Sequence, residues 1–158
     1  MAIAESALLP HAGSIKGAIG FWQILPDTGR RYGLTIDDTI DERRNIFAST
    51  RAAIAHLKVL HELMGSWTLS AAAYNMGEEG LEAEIMVQHT RDYYRLYLPL
   101  ETQRFIFRIL SAKLILSEPA KFGFHLTDAD YYPPFEFDRI SIDCFQNIPL
   151  SLVAKASK

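Results

Sequence analysis

Glu5 is a carboxylate set behind a short apolar run, Ile3 and Ala4, and followed by Ser6, Ala7, Leu8 and Leu9. A carboxyl kept among apolar neighbours is costly to ionise. Its pKa rises toward neutrality, and it can then give and take a proton at ordinary pH. Two other stretches carry groups that could work beside it: Gly20-Phe21-Trp22-Gln23, which ends in an amide, and Ala72-Ala73-Tyr74-Asn75, which ends in a phenol and an amide. Amides and phenols both donate and accept hydrogen bonds, so they can orient a polar substrate. About 15 and about 50 residues separate the three stretches, so only the fold can bring them together. Each has a plainer account. Glu5 can be an exposed glutamate in a frayed chain end. Gln23 can be a polar residue on a core-facing turn, and Tyr74 and Asn75 can close internal hydrogen bonds.

The 158-residue chain suits one domain with a sizeable core, and its net charge of −3 argues against a nucleic-acid partner. Cys144 is the only cysteine, which excludes an internal disulfide. No Cys or His pair has zinc spacing, and His61-Glu62 fails as a zinc motif because Gly65 stands where the second histidine belongs. No apolar run approaches the roughly 20 residues that span a bilayer. No basic segment followed by an apolar one precedes Glu5, so the chain as it stands reads as lacking a signal peptide. That leaves a cytoplasmic protein or a shortened chain.

The elements that must position these groups are helical. Residues 2–6 read as the last turn of a helix, with Pro10 as its limit. The stretch from His11 to Gln23 is too interrupted for a helix, and Gly13, Gly17 and Gly20 predict turns or close backbone approach. Pro26 starts a short helix that Gly33 ends. From Asn45 to Met64, Ile46, Thr50, Ala53, Ile54, Leu57, Leu60 and Met64 recur at helical spacing, and Gly65 stops the run. Ser66 caps the next helix, through Asn75, in which Ala71-Ala72-Ala73 lets another backbone pack closely. Further helices run from about Glu79 to Gln88 and from Pro99 to Pro119. Pro133-Pro134 mark a hinge, and the alternation over Phe135–Asp143 predicts an extended strand. The expected fold is all-α over residues 1–124, with a C-terminal extension over 125–158 made of an extended strand and a short helix.

Taken in order, the motifs resemble the catalytic domain of the lytic transglycosylases, the SLT or goose-lysozyme-like family, and most of all its membrane-bound, MltD-type branch. The blocks that carry the likeness are Ala2 to Ser6, Ser14 to Gln23, Thr28 to Leu34, Asp41 to Arg43, Ser49 to Ala53, Trp67 to Gly77 and Leu98 to Thr102. They cover about residues 2–124. The resemblance implies a lysozyme-like helical fold and a carbon–oxygen lyase. Such an enzyme cuts the β-1,4 bond between N-acetylmuramic acid and N-acetylglucosamine in peptidoglycan and leaves a 1,6-anhydro end. It needs no metal and no organic cofactor. One glutamate serves as acid and then base, a departure from the two-carboxylate pattern of most glycosidases.

Carried over residue by residue, the resemblance implies Glu5 as the catalytic glutamate, and Ser14, Gln23, Tyr74 and Asn75 as substrate-binding residues. An internal hydrogen bond remains the alternative for Asn75. Trp22 reads as core rather than sugar platform. Tyr93, Tyr94 and Tyr97 can stack on sugar rings or pack inward. Glu101, at a helix start, is accounted for by the helix dipole. The implied partner is the glycan strand of peptidoglycan, and the implied setting is periplasmic or outer-membrane-associated. Nothing in the sequence sets the oligomeric state. The chain departs from the family at Phe105, where a tyrosine is usual, and at its short front before Glu5. Both departures keep open a binding module without activity. A hydrolase is the other alternative, with Asp27 and Asp41 as available second carboxylates.

Overall fold

The structure, a computed structural model, describes residues 1–134, 136, 143, 145 and 148–156. The chain divides into two compact units, Met1–Phe124 and His125–Lys158. The first unit holds six α-helices: α1 (Ala2–Ser6), α2 (Pro26–Arg31), α3 (Ile46–Met64), α4 (Trp67–Met76), α5 (Glu78–Gln88) and α6 (Leu100–Ser117). In the second, a 3-10 turn at Asp128–Asp130 is closed by Thr127, and a short helix α7 covers Leu150–Ala156. The strand expected over Phe135–Asp143 lies outside the described residues. Among the described residues there is no β-strand, only isolated antiparallel bridges such as Gly13–Ile19 and Ile19–Ile24. The first unit thus has the all-α, lysozyme-like character that the sequence points to.

Local chemistry sets the helix ends. The Asn45 side chain accepts from the amides of Phe47 and Ala48 at 3.0 Å each, and so caps α3. Gly65 closes α3 in the left-handed conformation, φ 76°, which a side chain disfavours. The Ser66 hydroxyl accepts from the Leu69 amide at 3.3 Å and opens α4. Each such cap is worth about 1 kcal/mol.

Packing departs from the sequence reading on α3. Ile46 and Ile54 are exposed, and the buried face is Ala48, Ser49, Ala52, Ala53, Leu60 and Met64. The reason is close approach. α3 packs against α4, whose Ala71, Ala72 and Ala73 are buried, so small residues rather than large ones define the shared face. α4 in turn packs on α5 and α6, and α1 packs on α6. The larger core cluster gathers Leu60, Leu69, Leu81, Leu98, Phe105 and Ile106, among others. Burying each such side chain stabilises the fold by roughly 1.5–3 kcal/mol. A second cluster, Ile24, Leu34, Ala48, Ala52 and Ala53, lies under the irregular segment, with Trp22 packed against it. Trp22 is half-buried rather than fully core, and its Nε1 donates to Thr50 Oγ1 at 2.9 Å.

One buried cation organises the irregular segment. Arg43 is 4% exposed and pairs with Asp41 through Nε (2.8 Å) and Nη2 (2.7 Å). Its Nη1 donates to the carbonyls of Gly17 (2.8 Å) and Ile24 (3.1 Å), which ties the two ends of the 17–24 loop together. The backbone of Arg43 also presses on Gly20. A Cβ placed on Gly20, where φ is 84°, would meet the Arg43 carbonyl oxygen at 2.1 Å. At Gly33, φ 81°, nothing lies within 4 Å of such an atom. Gly20→Ala is therefore expected to cost about 3 kcal/mol or more in urea unfolding, and Gly33→Ala only about 1–2 kcal/mol, the backbone term alone. Equal losses would contradict this account of the loop.

Candidate active site

The short helix α1 cannot be stable alone. It is held by Met1 and Ala4, which pack against the larger core cluster, and by the buried Ser6. The Ser6 hydroxyl, 2.9 Å from the Phe21 carbonyl and 3.2 Å from that of Ala2, joins α1 to the loop that carries Gln23. Glu5 follows on the same turn and opens onto a cleft of about 480 Å³. The cleft is lined by Glu5, Ser14, Gln23, Tyr74 and Asn75, so the fold gathers all five residues singled out in the sequence. Ala18, Ile24, Leu25, Thr28, His56 and Glu101 also line it, with Ile15 and Lys16.

The dry setting of Glu5 does not come from its sequence neighbours. Ile3, Ala7 and Leu8 are exposed. α1 packs on α6, and the Glu101 and Arg108 side chains of that helix act on the Glu5 charge. Burial, reinforced by the Glu101 carboxylate, raises the Glu5 pKa to about 7, against the pull of the chain's amino group and of Arg108. Among the described residues no donor is hydrogen-bonded to the Glu5 carboxyl. Burial, then the Glu5 charge, also pushes the Tyr74 phenol up and keeps it neutral.

The remaining groups each carry one or two structural bonds and leave one polar atom for a ligand. The Ser14 hydroxyl accepts from the Ala18 amide at 3.1 Å and keeps its own O–H. Gln23 has a left-handed backbone, φ 47°, uncommon for a side-chain-bearing residue. Its Nε2 donates to the carbonyls of Ala12 and Gly20, both at 3.0 Å, so its donors brace the loop and only Oε1 remains. Tyr74 donates to the Trp22 carbonyl at 2.7 Å rather than to Glu5. Asn75 Oδ1 accepts from the buried Thr102 hydroxyl at 3.0 Å, which leaves its Nδ2 amide.

Other sequence candidates lie elsewhere. Tyr93 is buried, Tyr94 and Tyr97 are exposed, and none of the three lines the cleft. Asp27 faces solvent beside Arg30, and Asp41 is held by Arg43, so neither supplies a second carboxylate to the cleft. Phe105 is 1% exposed within the larger core cluster and lines no part of the cleft. Glu101 and His56 are among the lining residues that the sequence reading did not assign to the site. The helix-dipole account of Glu101 is sufficient locally and says nothing of the cleft. His56 sits between Ala53 and Leu60 along α3, and its only signal is a polar ring interrupting a buried stripe. Burial holds its imidazole below the usual value, although the Glu78 carboxylate acts against this.

A raised carboxyl pKa is a stability statement. The folded state holds the Glu5 proton more tightly than the unfolded state, so stability falls as pH rises from about 4.5 through about 7. The full effect is at most about 3 kcal/mol, less where water screens the carboxyl. Glu5→Gln is therefore expected to stabilise the protein by about 1–3 kcal/mol at pH 8 and to change it little at pH 4, read by urea unfolding. A pH-independent difference would contradict the burial of this carboxyl.

The model of the transglycosylase SLT domain family matches residues 1–96, a span that contains all five residues singled out in the sequence. An Escherichia coli protein named membrane-bound lytic murein transglycosylase D is 39% identical over 133 residues, which is 81% of this chain and 29% of that protein. The protein of that name in a second strain gives the same figures. An Alteromonas protein named for tributyltin chloride resistance is 35% identical over 79 residues, 49% of this chain and 38% of its own length. The chain thus spans less than a third of the length of the Escherichia coli relatives. The family's match covers most of the residues that build the cleft and more than half of the chain, and the chain belongs to the transglycosylase SLT domain family.

Proposed function

We propose that this domain is a peptidoglycan lytic transglycosylase that works in the bacterial envelope, with Glu5 as its single proton shuttle. The observation that carries the reading is the Glu5 carboxyl itself. It faces the cleft, has no donor bonded to it among the described residues, and has a pKa of about 7. Near neutral pH such a group is present in both forms, which suits one residue that must act first as acid and then as base. The family membership and the 39% identity to a lytic murein transglycosylase support peptidoglycan as the substrate class.

In the proposed reaction the protonated Glu5 carboxyl gives its proton to the glycosidic oxygen as the bond from that oxygen to C1 of the muramic acid breaks. The Glu5 carboxylate then takes the proton of the sugar's own 6-hydroxyl while O6 bonds to C1. The products are a 4-hydroxyl end and a 1,6-anhydro end, Glu5 returns to its acid form, and no water is consumed. In this reading Asn75 Nδ2, Ser14 O–H and Gln23 Oε1 bind the glycan, and Tyr74 positions the loop through the Trp22 carbonyl. No step needs a metal, and among the described residues no cluster of His, Cys, Asp and Glu could hold one. Among these residues no helix is long and apolar enough to cross a membrane.

A second reading, a hydrolase on the same fold, draws on the Glu101 carboxylate in the cleft. Digestion of purified sacculi followed by mass spectrometry of the fragments separates the two. The proposal expects ends lighter than reducing ends by one water, and Glu5→Gln is expected to lower their rate of release at least about a hundredfold. Reducing ends would establish hydrolysis instead. Sedimentation with sacculi and no new ends would reduce the domain to a binding module.

A further inference from the structure

His56 has no part in the proton transfers above, yet it stands in the cleft with Glu5. Its ring lies against two phenols, with centroids 5.1 Å from Tyr32 and 5.4 Å from Tyr74. Its Nδ1 is 3.1 Å from the Tyr32 hydroxyl oxygen. A phenol is a stronger acid than a neutral imidazole N–H, and an imidazole nitrogen is a stronger base than a phenol oxygen. The Tyr32 O–H therefore donates to Nδ1, and the neutral ring carries its proton on Nε2. Among the described residues His61 Nδ1 is the buried side-chain atom left without a partner. Among the described residues His56 Nε2 has no hydrogen-bond partner and is not a buried orphan, so it is accessible. The ring is fixed by its aromatic neighbours and at one nitrogen, which leaves Nε2–H as an oriented donor on the cleft wall.

The partner for that donor follows from the cleft's charges. Glu5 and Glu101 line it against one cation, Lys16, so an anionic group is poorly received there. A sugar hydroxyl can turn to satisfy itself elsewhere. An amide carbonyl can only accept, and a site built to bond it discriminates against a sugar that lacks it. We propose that His56 Nε2–H donates to an acetamido carbonyl of the bound strand, so that His56 contacts the substrate and selects N-acetylated glycan; this rests on the glycan reading given under Proposed function.

The test uses His56→Phe, which keeps the ring contacts and removes the donor, and His56→Gln, which retains an N–H. Binding of N-acetylglucosamine tetramer and of glucose tetramer is measured on the Glu5→Gln protein, with and without each substitution. Cleavage of sacculi is measured with Glu5 intact. The N-acetylated tetramer is expected to bind more tightly than the glucose tetramer. His56→Phe should weaken the former roughly threefold to tenfold, leave the latter unchanged, and raise KM on sacculi with kcat within about twofold. His56→Gln should recover part of the loss. In the ring ¹⁵N spectrum Nε2 should carry the proton and shift when the N-acetylated tetramer binds. A preference unchanged by His56→Phe, a stationary Nε2 signal, or no binding of the N-acetylated tetramer overturns the inference. If sacculi still yield anhydro ends in any of those cases, the reading of the reaction stands and the role of His56 alone falls. A purely structural role would lower the melting temperature without changing the ratio between the two tetramers.

Discussion

A carboxyl held away from water with no donor to satisfy it is unstable as an anion, and the fold around Glu5 maintains that condition. α1 is one turn and a half of helix with no independent stability. Met1 and Ala4 press it on the core, and Ser6 joins it to the Phe21 carbonyl. The Ser6 bond fixes Glu5 and the Gln23 loop relative to one another. Burial and the Glu101 charge then do the electrostatic part. The site is costly to stability where it is useful to chemistry, as strained or desolvated sites commonly are.

The loop opposite Glu5 is rigid for a different reason. Its carbonyls at Gly17 and Ile24 both accept from Arg43, whose charge is matched by Asp41. Those at Ala12 and Gly20 accept from Gln23, and that at Trp22 accepts from Tyr74. Irregular backbone has no helix to satisfy its polar groups, so the side chains of Arg43, Gln23 and Tyr74 do so. Of these, Gln23 and Tyr74 also line the cleft, and each has an oxygen left to offer it. Structural support and ligand binding are thus divided between the two ends of single polar groups.

Features governed by neighbouring residues were legible in the sequence. The Ser66 cap and the Gly65 stop involve partners a few positions apart. The order of motifs led to the five residues that the fold gathers. Features set by tertiary contact were not legible. Large residues drew the eye on α3, while alanines define its buried face because α4 comes close. Ile3 and Leu8 suggested dryness around Glu5, although both are exposed and α1 packs on α6. Phe105 marks a hydroxyl absent relative to the family pattern, but its ring belongs to the core. His56 depends on Tyr32 and Tyr74, distant partners that no spacing announces.

The most direct measurement is the titration of the Glu5 side-chain carboxyl by ¹³C NMR, run beside the pH dependence of kcat/KM on sacculi. If Glu5 is the acid of the reaction, its carboxyl titrates at about 7, and kcat/KM falls with the same midpoint as pH rises, because only the protonated form can start the cleavage. A carboxyl that titrates near 4.5, or an activity whose alkaline limb ignores the Glu5 midpoint, would contradict the assignment of Glu5 as the proton shuttle.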